Sequence, residues 1–268
     1  MRLATYDFGG DGHPLLLVHA TGFHAHVWLP VIDELTSRFH CFGVDQRAHG
    51  DSDAPGDDGY EWRDLGADVL TALADLGLDH PYAAGHSSGA AALFLAEEAQ
   101  PGTFAALWAY EPIVVPVDDP LPVTGNPMAD GARRRREVFA NRDEAYANYA
   151  SKPPFAVLAP AALRAYVDYG FDDLDDGTVR LKCRGANEAR FYESQGAHTA
   201  YRNLDRVRCP VNLARGGDND GFPADFVGPI AERLGGATID VFTGAGHFGP
   251  LQQPDATAAS IARAFASS

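Results

Sequence analysis

Short, wholly apolar runs alternate with amphipathic helical patterns along the first 110 residues of this chain. The runs are too short to be helices, and their unbroken apolar character is typical of strands that are covered on both faces. Four of them are predicted to be strands, at residues 15–18, 39–44, 81–84 and 104–110. This alternation predicts an α/β fold in which helices flank a doubly wound, mainly parallel sheet.

The alternation stops after the fourth predicted strand and resumes about one hundred residues later. Residues 117–208 carry proline pairs, acidic clusters and helical stretches such as 131–149 and 161–169, but no recurring strand pattern. Two further strands are predicted at residues 211–214 and 238–242. We therefore expect an α/β core of residues 1–116 and 209–268, with residues 117–208 inserted as a helical lid above the carboxyl edge of the sheet.

The chain has 37 acidic and 21 basic side chains among its 268 residues, a formal net charge of −16. Because this charge repels polyanions over most of the surface, we expect no nucleic-acid partner. The sequence shows neither a signal-peptide pattern nor an apolar run of about 18 residues. These features predict a cytoplasmic protein that does not contact membranes and is a monomer or a homodimer. The three cysteines lack metal-ligand spacing, so we expect free thiols and no metal.

Residues 85–89 read Gly-His-Ser-Ser-Gly and fit the pattern G-x-S-x-G between a predicted strand and a predicted helix. A sharp strand-to-helix turn needs room on both sides, which the two glycines supply, and it presents the serine above the sheet. The helix dipole favours negative charge at this position. Ser87 is therefore the predicted nucleophile.

A second pattern, Gly-Ala-Gly-His-Phe-Gly-Pro at residues 244–250, follows the last predicted strand. Because the carboxyl ends of parallel strands share one edge of the sheet, His247 can approach Ser87 and act as its base. His86 neighbours the nucleophile, but adjacent side chains on such a turn point apart, so we expect His86 to have a packing role.

The negative charge that forms when a serine attacks a carbonyl needs fixed hydrogen-bond donors. Two backbone N–H groups are expected to form this oxyanion hole, one directly after the nucleophile and one in the loop after the first core strand. The sequence assigns these positions to Ser88 and to Thr21.

Four segments, in this order along the chain, resemble the α/β-hydrolase fold family, specifically its esterase-like serine hydrolases with a helical lid. They are residues 15–28, 45–52, 85–89 and 244–250. The resemblance implies that the sheet has eight strands. The chain departs from the family at Ala20 and Ala48, where glycine is usual, and each change adds one methyl group that the fold should tolerate.

The acid that should orient His247 stays open between three carboxylates. The family usually places it after the strand that follows the lid, where this chain has Asp218 and Asp220. Some members instead carry it at the end of the strand before the lid, where this chain has Glu111. We weight Glu111 and Asp220 equally and place Asp218 below them, since either origin can stabilise the imidazolium.

These residues predict a serine hydrolase that cleaves a carboxylic ester or related acyl bond of a small, mostly apolar molecule through an acyl-enzyme, without any cofactor. Aromatic side chains are expected to line its pocket. The candidates are Phe23 and Trp28 in the core and Phe155, Tyr166 and Tyr169 in the lid. The same triad permits lactone or carbon–carbon bond hydrolysis, cofactor-free perhydrolysis and acyl transfer. A ligand receptor with little turnover is the alternative from another class.

Charged side chains are expected to lie outside a mostly neutral pocket. The four arginines at residues 133–136 fall on a predicted helix, where they should form a solvated, salt-bridged face. The acidic surface should then disfavour anionic substrates by repulsion at the entrance.

Overall fold

Two sheets organise the chain in the computed structural model, which describes residues 1–56, 59–118, 125–218 and 224–266. The strands are β1 (Thr5–Gly9), β2 (His13–Val18), β3 (Phe39–Val44), β4 (Tyr82–His86), β5 (Ala106–Tyr110), β6 (Val138–Phe139), β7 (Phe171–Asp173), β8 (Val179–Leu181), β9 (Val211–Gly216) and β10 (Thr238–Phe242). The large sheet has the order β1-β3-β2-β4-β5-β9-β10. Only β1, at one edge, is antiparallel to its neighbour, so the predicted doubly wound and mainly parallel sheet is confirmed.

The expectation of eight strands in this sheet is wrong, because the described residues supply seven. The residues before β1 bond to a loop and not to another strand. The N–H of Arg2 donates to Asp53, and the N–H of Ala4 donates to the hydroxyl of Ser52 at 2.8 Å. β1 therefore remains the edge of the sheet.

Helices cover both faces of the large sheet. The α-helices of the described residues are α1 (Leu29–Leu35), α2 (Leu65–Leu76), α3 (Ser88–Ala99), α4 (Pro127–Arg133), α5 (Arg142–Ala150), α6 (Pro160–Tyr169), α7 (Gly185–Glu193), α8 (Val227–Arg233), α9 (Gly249–Gln252) and α10 (Pro254–Ala264). Successive side chains of β2 point to opposite faces, so Leu15 packs in the cluster that contains α1 and α10, while Leu16 packs in the cluster of α2, α3 and α8. No helix in the described part of the chain is long and apolar enough to span a bilayer.

The segment between β5 and β9 carries α4 to α7 and the second sheet, in which β8 lies between β6 and β7. The predicted helix over residues 131–149 is wrong, since α4 ends at Arg133 and α5 begins at Arg142, with β6 between them. Strands of two or three residues are too short to show a period of two in the sequence. The prediction of a largely helical insertion missed these strands for this reason.

Candidate active site

Ser87 lies on a sharp turn between β4 and α3, as the sequence predicts. Its backbone angles, φ 56° and ψ −116°, fall outside the regions that non-glycine residues usually occupy. Gly85 and Gly89 permit the turn, because a Cβ on Gly89 would lie 2.4 Å from the carbonyl oxygen of Val18 and one on Gly85 would lie 2.7 Å from the backbone of Ala90. Such strain persists only where the surroundings enforce it.

The close approach at Gly89 leads to a stability prediction. We expect Gly89→Ala to lower the free energy of unfolding by about 1–3 kcal/mol, because the added methyl group meets rigid backbone. A Cβ on Gly228 in α8 would meet no described atom within 4 Å, so Gly228→Ala is the matched control and should stabilise the protein by up to about 1 kcal/mol. Urea unfolding of both variants measures the difference, and equal stabilities would contradict the steric explanation.

His247 follows β10 and faces the serine. Its Nε2 atom lies 3.2 Å from Oγ of Ser87, and its Nδ1 atom lies 2.8 Å from Oε2 of Glu111. The Nδ1–H group donates to the carboxylate, which leaves Nε2 as an acceptor for the serine hydroxyl. His86 packs beneath, and its Nε2–H donates to the backbone carbonyl of His247 at 2.8 Å. Burial lowers the pKa of His86 well below 6.5, so the imidazole ring that contacts His247 from below is neutral.

Glu111 lies directly after β5 and is fully buried, with 0% of its surface exposed. Its backbone φ is 40°, and its N–H donates to the carbonyl of Ala214 at 2.9 Å. The N–H of Gly216 donates to Oε1 at 2.8 Å, so one carboxylate oxygen is held by β9 and the other by His247. Asp218 is exposed, and Asp220 lies outside the described residues.

The two predicted oxyanion donors lie beside Ser87. The N–H groups of Thr21 and Ser88 donate to no acceptor among the described residues, so both remain available to a ligand. The loop that carries Thr21 is held by His49, whose Nε2 accepts the N–H of Gly22 at 2.9 Å. Gln46 links the loop that carries Thr21 to the start of α3. Its Nε2 donates to the carbonyl of His19 at 2.5 Å and to Oγ of Ser88 at 3.2 Å.

Sequence reasoning did not single out Gln46 or His49 as parts of the site. Both belong to residues 45–52, which contributed only to the family resemblance, and nothing in their spacing indicates contact with the oxyanion loop. In the same segment Ala48 has φ 62°, a conformation that favours glycine, so the departure from the family places an alanine in a strained position.

A buried histidine next to this loop predicts a pH dependence of stability. His24 is buried, its Nε2–H donates to the carbonyl of Tyr166, and burial lowers its pKa from 6.5 to about 4. Between these two pKa values the unfolded chain binds more protons than the folded one, so stability falls as the pH decreases below 6.5. Lowering the pH from about 7.5 to about 5.5 should therefore cost about 1.4 kcal/mol through His24 alone.

Urea unfolding of the wild type and of His24→Gln at the two pH values measures this contribution. The wild type should lose more stability than the variant, and the exposed His13→Gln is the matched control that should behave like the wild type. An equal pH dependence in wild type and His24→Gln would contradict the assignment to His24.

A cavity of about 540 Å³ opens above Ser87. Of the predicted pocket residues, Phe23 and Phe155 line it. Trp28 does not, since it is only 1% exposed and packs in the core with α1. Tyr166 is buried behind the cavity wall, and Tyr169 is exposed and stacks on the ring of His26.

Most side chains that line the cavity are neutral, as expected, but it also contains charged side chains. Arg135 and Glu188 line it and form an ion pair, with Nη1 of Arg135 2.5 Å from Oε2 of Glu188. The expected solvated face at residues 133–136 is therefore wrong for Arg135, whose side chain is 15% exposed. The chain leaves the helix at Arg133 and turns towards β6, and this turn directs Arg135 inwards.

Comparison with known proteins gives one family and several similar structures. A family model described as "Alpha/beta hydrolase family" matches residues 15–260. The 2-(acetamidomethylene)succinate hydrolase of Mesorhizobium japonicum is 25% identical over 260 residues, which cover 94% of this chain and 87% of the relative. A crystal structure of E-2-(acetamidomethylene)succinate hydrolase superposes with a TM-score of 0.81 at 23% identity, covering 97% of this chain and 94% of that chain. The enol-lactonase from Burkholderia xenovorans LB400 has a TM-score of 0.74 at 18% identity, covering 98% and 95%.

Proposed function

The chain belongs to the α/β hydrolase family, and from this premise we propose that it is a serine hydrolase that cleaves a carboxylic ester or related acyl bond of a small molecule. One observation carries the proposal: a continuous line of hydrogen bonds runs from Ser87 through His247 to the buried Glu111 at the floor of the cavity. A nucleophile, a base and an orienting acid in contact are the parts that acyl transfer requires.

The reaction starts when the carbonyl carbon of the substrate lies against Oγ of Ser87. His247 accepts the hydroxyl proton on Nε2 while Oγ forms a bond to that carbon. The carbonyl oxygen becomes negative and accepts hydrogen bonds from the N–H groups of Thr21 and Ser88. When the intermediate collapses, the leaving group departs with the proton from Nε2, and the acyl group stays on Ser87.

Water completes the cycle. His247 removes a proton from a water molecule, the hydroxide oxygen bonds to the acyl carbon, and Oγ of Ser87 leaves with the proton that Nε2 returns. Throughout, Glu111 keeps the Nδ1–H tautomer of His247 and stabilises the imidazolium that forms twice in each turnover. Both carboxylate oxygens of Glu111 accept hydrogen bonds, one from the N–H of Gly216 and the other from Nδ1–H of His247.

We further propose that residues 117–208 act as a lid on a core of residues 1–116 and 209–268. Side chains from this segment, among them Met128, Tyr149 and Phe155, form the wall of the cavity opposite the sheet edge. The floor comes from the core, through Ser87 and His247. A site built from both parts can exclude water from the reacting bond.

The names of similar proteins agree with this class of reaction. One relative is a hydrolase of 2-(acetamidomethylene)succinate, and one structural neighbour is an enol-lactonase. Both names describe the hydrolysis of a small molecule.

A panel of short-chain 4-nitrophenyl esters, lactones and diketones tests the proposal. We expect the wild-type protein to hydrolyse esters or lactones above the rate in buffer and to release one carboxylic acid for each bond cleaved. Cleavage of the diketones alone would place the activity at carbon–carbon bonds. Ligands that raise the melting temperature without any turnover would indicate a receptor and overturn the proposal.

A further inference from the structure

We propose that Arg135 binds a carboxylate of the substrate, so that the preferred substrates are acyl compounds with a carboxylate a short distance from the bond that is cleaved, such as monoesters of short dicarboxylic acids. This inference rests on the proposed serine hydrolase function and specifies its substrate class. It reverses the expectation that the acidic surface makes anionic substrates unfavourable.

Arg135 lies close to the atoms that are proposed to react. Arg135 lines the same cavity as Ser87 and His247. Its Nη1 atom lies 3.6 Å from the point that a Cβ on Gly22 would occupy, and Gly22 follows Thr21, the proposed oxyanion donor. A group held by this guanidinium is therefore only a short chain of atoms away from a carbonyl in the oxyanion hole.

The guanidinium is held in one orientation. Nη1 donates to Glu188 at 2.5 Å, and Nη2 donates to the hydroxyls of Tyr166 at 2.5 Å and Tyr149 at 3.2 Å. The guanidinium carbon lies 5.5 Å from the ring centre of Phe155 and 5.7 Å from that of Tyr149. A charged group that is fixed before the ligand arrives binds it without a further loss of side-chain freedom.

Hydrogen-bonding capacity remains for a ligand. A guanidinium has five N–H donors, and the contacts above use three of them. The Nε–H group and the second N–H of Nη1 meet no acceptor among the described residues. Because hydrogen bonds between a guanidinium and a carboxylate are among the strongest in proteins, a carboxylate is the ligand that these donors favour.

The net charge of the side chains that line the cavity also favours an anionic ligand. Among the described residues that line it, Arg135 and Lys152 are cationic and Glu188 is anionic, so the wall carries one positive charge in excess although the chain has a net charge of −16. Lys152 supplies this excess, since Arg135 and Glu188 form an ion pair. A purely structural contact at this place would not need a charged pair. Well-packed apolar side chains join helices at least as well as a desolvated ion pair does.

A matched pair of substrates, monomethyl succinate and dimethyl succinate, tests the inference because they differ in one negative charge. We expect the wild type to favour the monoester in kcat/KM by about tenfold or more. Arg135→Gln should lower kcat/KM for the monoester by about 10- to 100-fold, mainly through KM, and change the value for the diester by less than about threefold. The exposed Arg134→Gln carries the same loss of charge one residue away and should leave both values near those of the wild type.

An equal loss for both esters in Arg135→Gln would assign Arg135 a structural role and overturn the inference. A second experiment measures competitive inhibition of 4-nitrophenyl acetate hydrolysis. It uses only the wild type, so its outcome does not depend on the stability of Arg135→Gln. Succinate should inhibit the wild type at least about tenfold more strongly than neutral succinamide. Equal inhibition together with normal turnover of 4-nitrophenyl acetate would refute the carboxylate site and leave the proposed function standing. Absence of all ester turnover would refute the proposed function and the inference with it.

Discussion

Replacing Ser87 with alanine should lower kcat for ester hydrolysis by about five to six orders of magnitude. The variant loses the hydroxyl oxygen that we propose forms the acyl-enzyme, while the binding cavity and the N–H groups of Thr21 and Ser88 remain in place. Residual activity should stem from these parts alone. Steady-state kinetics with 4-nitrophenyl acetate, corrected for the rate in buffer, provides the measurement.

The Ser37→Ala variant is the matched control, because it removes a serine hydroxyl group from an exposed turn after α1. It should retain the activity of the wild type. Comparable activity in Ser87→Ala and Ser37→Ala would remove Ser87 from the reaction. The backbone strain at residue 87 is the same for serine and alanine, so Ser87→Ala should unfold at a temperature close to that of the wild type. An unchanged melting temperature would show that the lost activity does not result from unfolding.

Glu111→Gln should lower kcat by about three to four orders of magnitude, a loss that arises from the tautomer of His247. The N–H of Gly216 requires an acceptor at the Oε1 position, so the amide oxygen of the glutamine should take that place. Its NH₂ group then faces Nδ1 of His247, which must become an acceptor. The ring proton then lies on Nε2, so Nε2 can no longer accept the proton of the Ser87 hydroxyl.

Variants of the other carboxylates decide between the acids that the sequence left open. Asp218→Asn should have little effect on kcat, since Asp218 is exposed and His247 already bonds to Glu111. If Asp220→Asn lowered kcat by orders of magnitude while Glu111→Gln did not, Asp220 would be the acid and the assignment of Glu111 would be wrong. Steady-state kinetics at a single pH near neutrality compares all three variants.

The parts of the site that the sequence predicts are those set by local geometry. The pattern at residues 85–89 predicts a strand, a turn and a helix, and the structure has β4, Ser87 and α3 in these places. His247 follows a strand that belongs to the same parallel sheet, so its approach to Ser87 depends only on the common direction of the strands.

Local sequence patterns could not identify the carboxylate that orients His247. Its position depends on the pairing of β5 with β9, which brings Glu111 beside Gly216 and within reach of His247. Carboxylates at the ends of both strands satisfy the sequence pattern equally well. The structure places Oε2 of Glu111 2.8 Å from Nδ1 of His247, and distances across a sheet are not encoded in local spacing.

The charge of the pocket was missed for a related reason. A helical period across residues 131–149 places all four arginines on a solvated surface, whereas the chain breaks off after Arg133 and forms β6. This interruption turns Arg135 towards Ser87 and leaves Arg134 exposed. α4 packs against α7 through Ala129, Ala132 and Ala189, a contact between distant parts of the sequence, and the sequence carries no periodic signal for the break after Arg133.

Labelling with an alkyl fluorophosphonate tests the central claim, that Ser87, activated by His247 and Glu111, is the nucleophile. Peptide mass spectrometry should locate one phosphonyl group on Ser87 in the inactivated enzyme. Glu111→Gln should slow the labelling about as strongly as it slows turnover. A fully inactivated enzyme with unmodified Ser87, or an enzyme that remains active with Ser87 phosphonylated, would contradict the account.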